Sequence, residues 1–199
     1  MREFISKACL FIYCFSSQAQ ITPFERSLSS NNVSDVAVQS NGLTWVATDE
    51  GLNVFYDNES YVFYSNIQDS TSILNSKIDK LSIISNDNLI TLSQDGLGVF
   101  NSDSFSFNQI RLNSRPVSIV EDKSSEKYWI ATENSGYYII DSKFNLEDHF
   151  VFDPLNPLSI STSKLANNSD KSIIISESRV FIATNNGFNV FNKKLKTFK

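Results

Sequence analysis

Residues 44–55 read TWVATDEGLNVF, and the stretch returns as YWIATENSGYYII at 128–140, as VFIATNNGFNVF at 180–191 and, worn, as LITLSQDGLGVF at 89–100. Each copy is an apolar run, carrying a small residue in three of the four (Ala47, Ala131, Ala183), followed by Thr48, Ser93, Thr132 or Thr184. A polar turn closed by Gly51, Gly96, Gly136 or Gly187 leads into a second apolar run. Two short apolar runs joined by a polar turn ending in glycine read as a β-hairpin, because glycine reaches positive φ without a Cβ clash. From Thr48 to Ser93 to Thr132 to Thr184 the intervals are 45, 39 and 52 residues. Repeats of that length built from short strands predict propeller blades.

Strands flank each hairpin. NVSDVAV at 32–38 alternates apolar and polar residues ahead of the first hairpin, and Tyr61–Tyr64 follows it. IDKLSII at 78–84 and Phe105–Phe107 frame the second, Val117–Val120 and Phe150–Phe152 the third. Ile173–Ile175 opens the fourth, whose outer strand begins at Thr197 and Phe198. The expected fold is all-β, about four four-stranded antiparallel units over blades at 32–75, 76–115, 116–168 and 169–199. The loops SNIQDSTSILN at 65–75 and DPLNPLSIS at 153–161 resemble each other and cross between blades. Four units with an unfinished last blade predict an incomplete propeller, an arc with bare end faces.

Within the repeat, Trp45, Trp129 and Phe181 are expected to fill the gap between adjacent blades, and the alanines to sit where strands crowd. The Thr after each alanine is expected to hydrogen-bond its own turn.

Residues 1–19 differ from the rest. Arg2 and Lys7 flank an apolar run from Ala8 to Phe15, and Ser17 and Ala19 precede Gln20 in the −3 and −1 places. That plan predicts a cleavable signal peptide at 1–19, a partial propeller over 20–199, and an exported chain, periplasmic or secreted. The apolar run is too short to span a bilayer. Both cysteines, Cys9 and Cys14, fall in the leader, so the remainder carries no thiol or disulfide. The chain's net charge is −5, and removing the leader, itself net +1 from Arg2, Glu3 and Lys7, leaves −6. An acidic domain with no basic stripe is a poor partner for nucleic acid.

No catalytic set, cofactor site or metal site emerges. His149 is the single histidine and has no Cys or His partner. Asn86-Asp87-Asn88 and Asn167-Asn168-Ser169-Asp170 supply oxygens but lack the ordered spacing of a calcium loop, and read as solvated turns. Ser40-Asn41-Gly42-Leu43-Thr44-Trp45 is similar to the aspartate box of sialidase-type propellers, with Ser40 in place of the Asp, and reads as turn chemistry. Tyr56, Tyr137 and Tyr138 are the aromatic candidates for stacking on a glycan; ligand-binding residues stay unassigned.

Trp45-Val46-Ala47-Thr48 with Gly51-Leu52-Asn53 and Phe55 resembles the two-component regulator propeller repeat. Phe181-Ile182-Ala183-Thr184 with Gly187-Phe188-Asn189 is nearly as similar. Trp129-Ile130-Ala131-Thr132 also matches, with an extra residue before Gly136 and Tyr137 for Leu. The second unit departs, with Ile90 for Trp and Leu92 for Ala, while Phe24 to Asn31 resembles the family's opening strand and turn. The resemblance implies a non-catalytic extracytoplasmic sensor segment of a two-component signalling protein. It further implies oligosaccharide as a possible ligand class, and missing blades supplied by the rest of a longer chain or by another chain. The alternatives are a stand-alone secreted propeller-type scaffold and, with least support, a propeller hydrolase or lyase.

Overall fold

The computed structural model describes residues 28–57, 59–164 and 172–199; the leader expected at 1–19 lies outside the described residues, as does the cluster Asn167–Asp170. Sixteen strands form four antiparallel meanders, each strand paired with its sequence neighbour. Blade 1 holds β1 (Val33–Val38), β2 (Thr44–Thr48), β3 (Gly51–Tyr56) and β4 (Glu59–Phe63). Blade 2 holds β5 (Ile78–Ile84), β6 (Asn88–Ser93), β7 (Gly96–Asn101) and β8 (Ser106–Arg111). Blade 3 holds β9 (Pro116–Asp122), β10 (Lys127–Thr132), β11 (Tyr137–Asp141) and β12 (Leu146–Phe150). Blade 4 holds β13 (Ile173–Ile175), β14 (Arg179–Thr184), β15 (Gly187–Asn192) and a two-residue β16 (Thr197–Phe198). The first strands lie side by side in the order β1, β5, β9, β13, which makes them the inner wall of an arc. The one helical feature among the described residues is a 3-10 turn at Ser85–Asp87.

The repeated hairpin is β2–β3 and its counterparts. Thr48 Oγ1 donates to Gly51 O at 2.9 Å and accepts from Glu50 N at 3.2 Å; Thr132 and Thr184 do the same across their turns. The closing glycine is required by the outer strand as well as by its own φ. A Cβ at Gly96 (φ +141°) would lie 2.1 Å from Ile110 O, and one at Gly136 would lie 2.0 Å from Phe150 O.

Because side chains alternate along a strand, each blade has a trailing face toward the next blade and a leading face toward the previous one. Trp45, Ala47, Leu52 and Val54 of blade 1 are buried against Leu81, Leu89, Phe100 and Phe107 of blade 2. Leu92, Leu97 and Val99 of blade 2 meet Tyr128, Ile130 and Ile140 of blade 3, and Trp129, Ala131 and Ile139 of blade 3 meet Val180, Ile182 and Phe191 of blade 4. Ile90 and Leu92, which replace Trp and Ala in blade 2, are fully buried, so that joint packs without the tryptophan. Phe181 corrects the expectation drawn from its register: it is only half-buried and stacks on the exposed Phe188 (centroids 5.9 Å apart), because its face of blade 4 meets no other blade.

The two long loops share one conformation. Ser72 Oγ accepts from Asn66 N at 2.9 Å as Ser159 Oγ does from Asp153 N at 3.0 Å, and each loop then inserts a fully buried isoleucine, Ile73 or Ile160, into its joint. Each also runs beside the outer strand of the blade it leads into: Phe107 N donates to Thr71 O at 2.8 Å and Phe198 N to Leu158 O at 3.0 Å. After Ile160, Ser161 is latched by blade 4. Its N–H donates to Asn189 Oδ1 at 2.9 Å, its Oγ accepts from Asn189 Nδ2 at 2.9 Å and lies 3.1 Å from Thr184 Oγ1. Ser29 makes the same latch on Asn53 and Thr48 of blade 1.

Polar bridges cross every joint. Asp35 Oδ2 accepts from Leu81 N at 2.8 Å, Ser85 Oγ donates to Glu121, and Lys193 Nζ of blade 4 meets Asp122 Oδ2 of blade 3 at 2.6 Å. Burial of Asp122 acts to raise its pKa, but donation from Lys193, Ser124 and Ser125 outweighs it and holds the carboxyl below the ordinary carboxylate range.

Three outcomes follow from these joints. Trp129→Ala, which empties a site packed by Phe150 and Phe191, should lower unfolding stability by about 3–5 kcal/mol in urea titrations. Ser161→Ala and Asn189→Ala should each cost about 1–3 kcal/mol, with the double variant costing less than their sum because both break one latch. Asp122 carries a depressed folded-state pKa, so its contribution is present above the unfolded value of about 3.9 and is lost as pH falls through the folded value. Lys193→Met should therefore lower neutral-pH stability by about 3 kcal/mol and move the onset of acid unfolding, followed by tryptophan fluorescence, to higher pH.

Candidate functional site

The inner wall of the arc gathers polar residues that lie far apart in sequence. Ser34 and Asp35 come from β1, Asp79 and Lys80 from β5, Arg115 from just before β9, and Pro116 and Val117 from its start. Together they line an open cleft of about 330 Å³ at the end of the first strands. The parallel approach of β1, β5 and β9 places these side chains, since each strand begins at the same level of its blade. Arg115 lies between two carboxylates, with Nη1 3.8 Å from Asp79 Oδ2 and Nε 3.4 Å from Glu133 Oε2. Ser34 Oγ donates to Ile78 O at 2.5 Å, and Asp35 spends one oxygen on Leu81 N, which fixes both across the first joint. A planar five-donor guanidinium flanked by acceptors suits a ligand rich in hydroxyl groups or bearing a carboxylate. At the opposite ends of the inner strands a second groove of about 670 Å³ is lined by Glu121, Asp122, Lys123 and Ser124 of blade 3 and by Ile175, Ser176 and Glu177 of blade 4. Its Asp122 is already paired with Lys193, so that groove is bounded by a structural ion pair.

The aromatic candidates separate sharply. Tyr137 and Tyr138 are both buried, on opposite faces of β11, and burial raises the Tyr137 phenol well above its usual range; neither is a surface platform. Tyr56 is half-buried beside Gly42, on the outer part of blade 1 and away from the cleft. His149, on β12, stacks flat on Tyr138 (centroids 3.8 Å apart) and its Nε2 lies 2.7 Å from Ser135 O. It thus covers a tyrosine rather than ligating, and among the described residues no three His, Cys, Asp or Glu side chains cluster as a metal would need.

The acidic turn and the Ser40–Trp45 segment prove to be one structure. Asp87 accepts from Ser40 N through both carboxylate oxygens (3.1 and 3.0 Å) and from Ser40 Oγ at 2.7 Å, while Gln39 donates to Asp87 O and accepts from Trp45 Nε1 at 2.7 Å. The turn closes on Gly42 N donating to Gln39 O at 3.0 Å. These residues tie blade 1 to blade 2. Sequence reading missed the cleft itself, because its residues are ordinary inner-strand positions with no local motif.

No protein-family model matches the chain, and no curated protein matches it in sequence. Solved structures match it in fold. The extracellular domain of BT3049 from B. thetaiotaomicron, assigned as a hybrid two component system, superposes with a TM-score of 0.68 at 19% identity, over 90% of this chain and 26% of that one. The extracellular domain of BT4673 from the same organism, assigned as a one component or hybrid two component system, gives 0.64 at 16% identity over 87% of this chain and 25% of that one. PorZ of Porphyromonas gingivalis, a surface component of the type-IX secretion system, gives 0.57 at 14% identity over 82% of this chain and 26% of that one. Among the described residues no helix is long and apolar enough to cross a membrane. The chain spans about a quarter of the length of these structures and shares with them the β-propeller fold of extracellular domains of sensor systems.

Proposed function

We propose that this chain is a non-catalytic, exported ligand-sensing segment of a two-component signalling protein, with further propeller blades and the output modules encoded beyond it. The observation that carries the reading is the arc itself: four blades that superpose over nearly their whole length on extracellular domains of such systems, four times as long. The leader at residues 1–19 accords with export to the periplasm or beyond. Sensing would act by ligand-biased geometry: a ligand that bridges inner strands of two blades favours one relative placement of those blades. The cleft between Asp35, Asp79 and Arg115 touches three blades and has the donors and acceptors an oligosaccharide requires. A stand-alone secreted scaffold is the second reading, favoured by the bare apolar face of blade 4.

Two measurements test this. The coding sequence should continue past Lys199 into further copies of the repeat and a membrane-spanning segment, whereas a stop codon there favours the scaffold. Calorimetry with a panel of neutral and uronic-acid-containing oligosaccharides should show saturable binding without turnover. Arg115→Ala should weaken that binding at least about tenfold, or about 1.4 kcal/mol, while thermal melting changes little because exposed ion pairs contribute about 0–1 kcal/mol. Binding across the panel by Arg115→Ala at unchanged affinity removes the cleft from the site. Release of shortened sugars instead supports a hydrolase or lyase.

A further inference from the structure

Blade 4 carries on its trailing face the residues that the other blades bury. By strand register, Phe181 occupies the place of Trp45 and Trp129, Ala183 that of Ala47 and Ala131, Phe188 that of Leu52 and Tyr137, and Val190 that of Val54 and Ile139. In blades 1 and 3 those positions are at most 5% exposed; in blade 4 Phe188 is 66% exposed, and Ile174, beside Phe181 on β13, is 64% exposed.

The leading face of blade 1 shows the complementary pattern. Val36 pairs with Val46 and stands where Leu81, Ile119 and Ile173 stand in the later blades. Leu81 and Ile173 are buried, whereas Val36 is 54% exposed. The plug is present too. Leu28 precedes the latched Ser29 as the buried Ile160 precedes the latched Ser161, and Leu28 is half-buried, with blade 1 on one side of it. One end of the arc therefore offers what a trailing face offers, and the other offers a leading face with its plug in place.

We infer that the trailing face of blade 4 is a docking surface for the leading face of blade 1 of a second copy of this chain, so that the purified chain associates head to tail. The occupant follows from the repeat: the surface that covers this set of residues three times within the chain is the leading face of a blade, and a second copy presents one uncovered. Such a contact is heterologous, and repetition closes a ring or extends a chain of copies. The inference rests on the packing of the blades and is independent of the sensory reading, since association is measured without any oligosaccharide.

Sedimentation velocity of the purified chain at micromolar concentration should show a species of at least twice the chain mass. Phe188→Asp should abolish it by disabling one end, and Val36→Asp by disabling the other, each variant running as a monomer. Mixed in equal amounts, the two variants should recover a 1:1 heterodimer, because one intact trailing face and one intact leading face remain. If Phe188→Asp fails to fold, Ile174→Asp on the same face takes its place. A wild-type monomer, an assembly that survives either substitution, or variants that do not complement each other would overturn the inference.

Discussion

Burial of a tryptophan-sized side chain between neighbouring sheets is the interaction on which this molecule depends. A four-stranded meander of five- or six-residue strands has two faces to cover, and alone it is marginal in water. Stacking supplies the cover. Trp45 and Trp129 each remove on the order of 150–250 Å² from solvent, and the alanines at 47 and 131 let the inner strands converge beside them. Stability is then nearly a sum over joints, so removing one joint costs the blades on both sides of it.

Apolar burial is non-directional, and a face of valine and leucine can slide on another. Polar contacts set the position. Asp35 on Leu81 N, Ser40 on Asp87, Ser85 on Glu121 and Lys193 on Asp122 each span a joint between residues dozens apart in sequence. The serine latch does the same for the incoming chain, holding Leu28 and Ile160 at the blade surface through Asn53 and Asn189. Blade 2 shows the alternative. Leu74 stands in the latched serine's place and Gly98 in the asparagine's, where a Cβ would come within 2.6 Å of Thr91 Oγ1, and the joint is sealed by Phe107.

What could be read from the sequence was what is local or repeated. The hairpins, their glycines and the threonine bonds to the turn all lie within about five residues, and repetition multiplied a weak signal four times. The faces were legible from alternation, yet the fate of Phe181 was not, since register says which way a ring points and not whether a neighbour stands there. Tyr137 and Tyr138 look alike in the sequence, and only the covering by blade 4 on one side and blade 2 on the other shows both to be interior. The latch joins residues 24 and 28 apart; its one trace in the sequence is a serine after an apolar residue ahead of blades 1 and 4. The cleft at Arg115 had no trace, because three blades contribute to it and none of its residues breaks a pattern.

The way each long loop lies along the outer strand of the blade it enters has a consequence for biogenesis. Thr71 and Leu158 are synthesised before the strands whose amides they receive, and Ile73 and Ile160 before the sheets they plug. A blade emerging from a ribosome or a translocation pore thus finds its edge partner already waiting on the upstream side, and needs nothing still untranslated to cap that edge. Assembly can proceed in the direction of travel, one sheet at a time, with a single greasy surface exposed at the growing front.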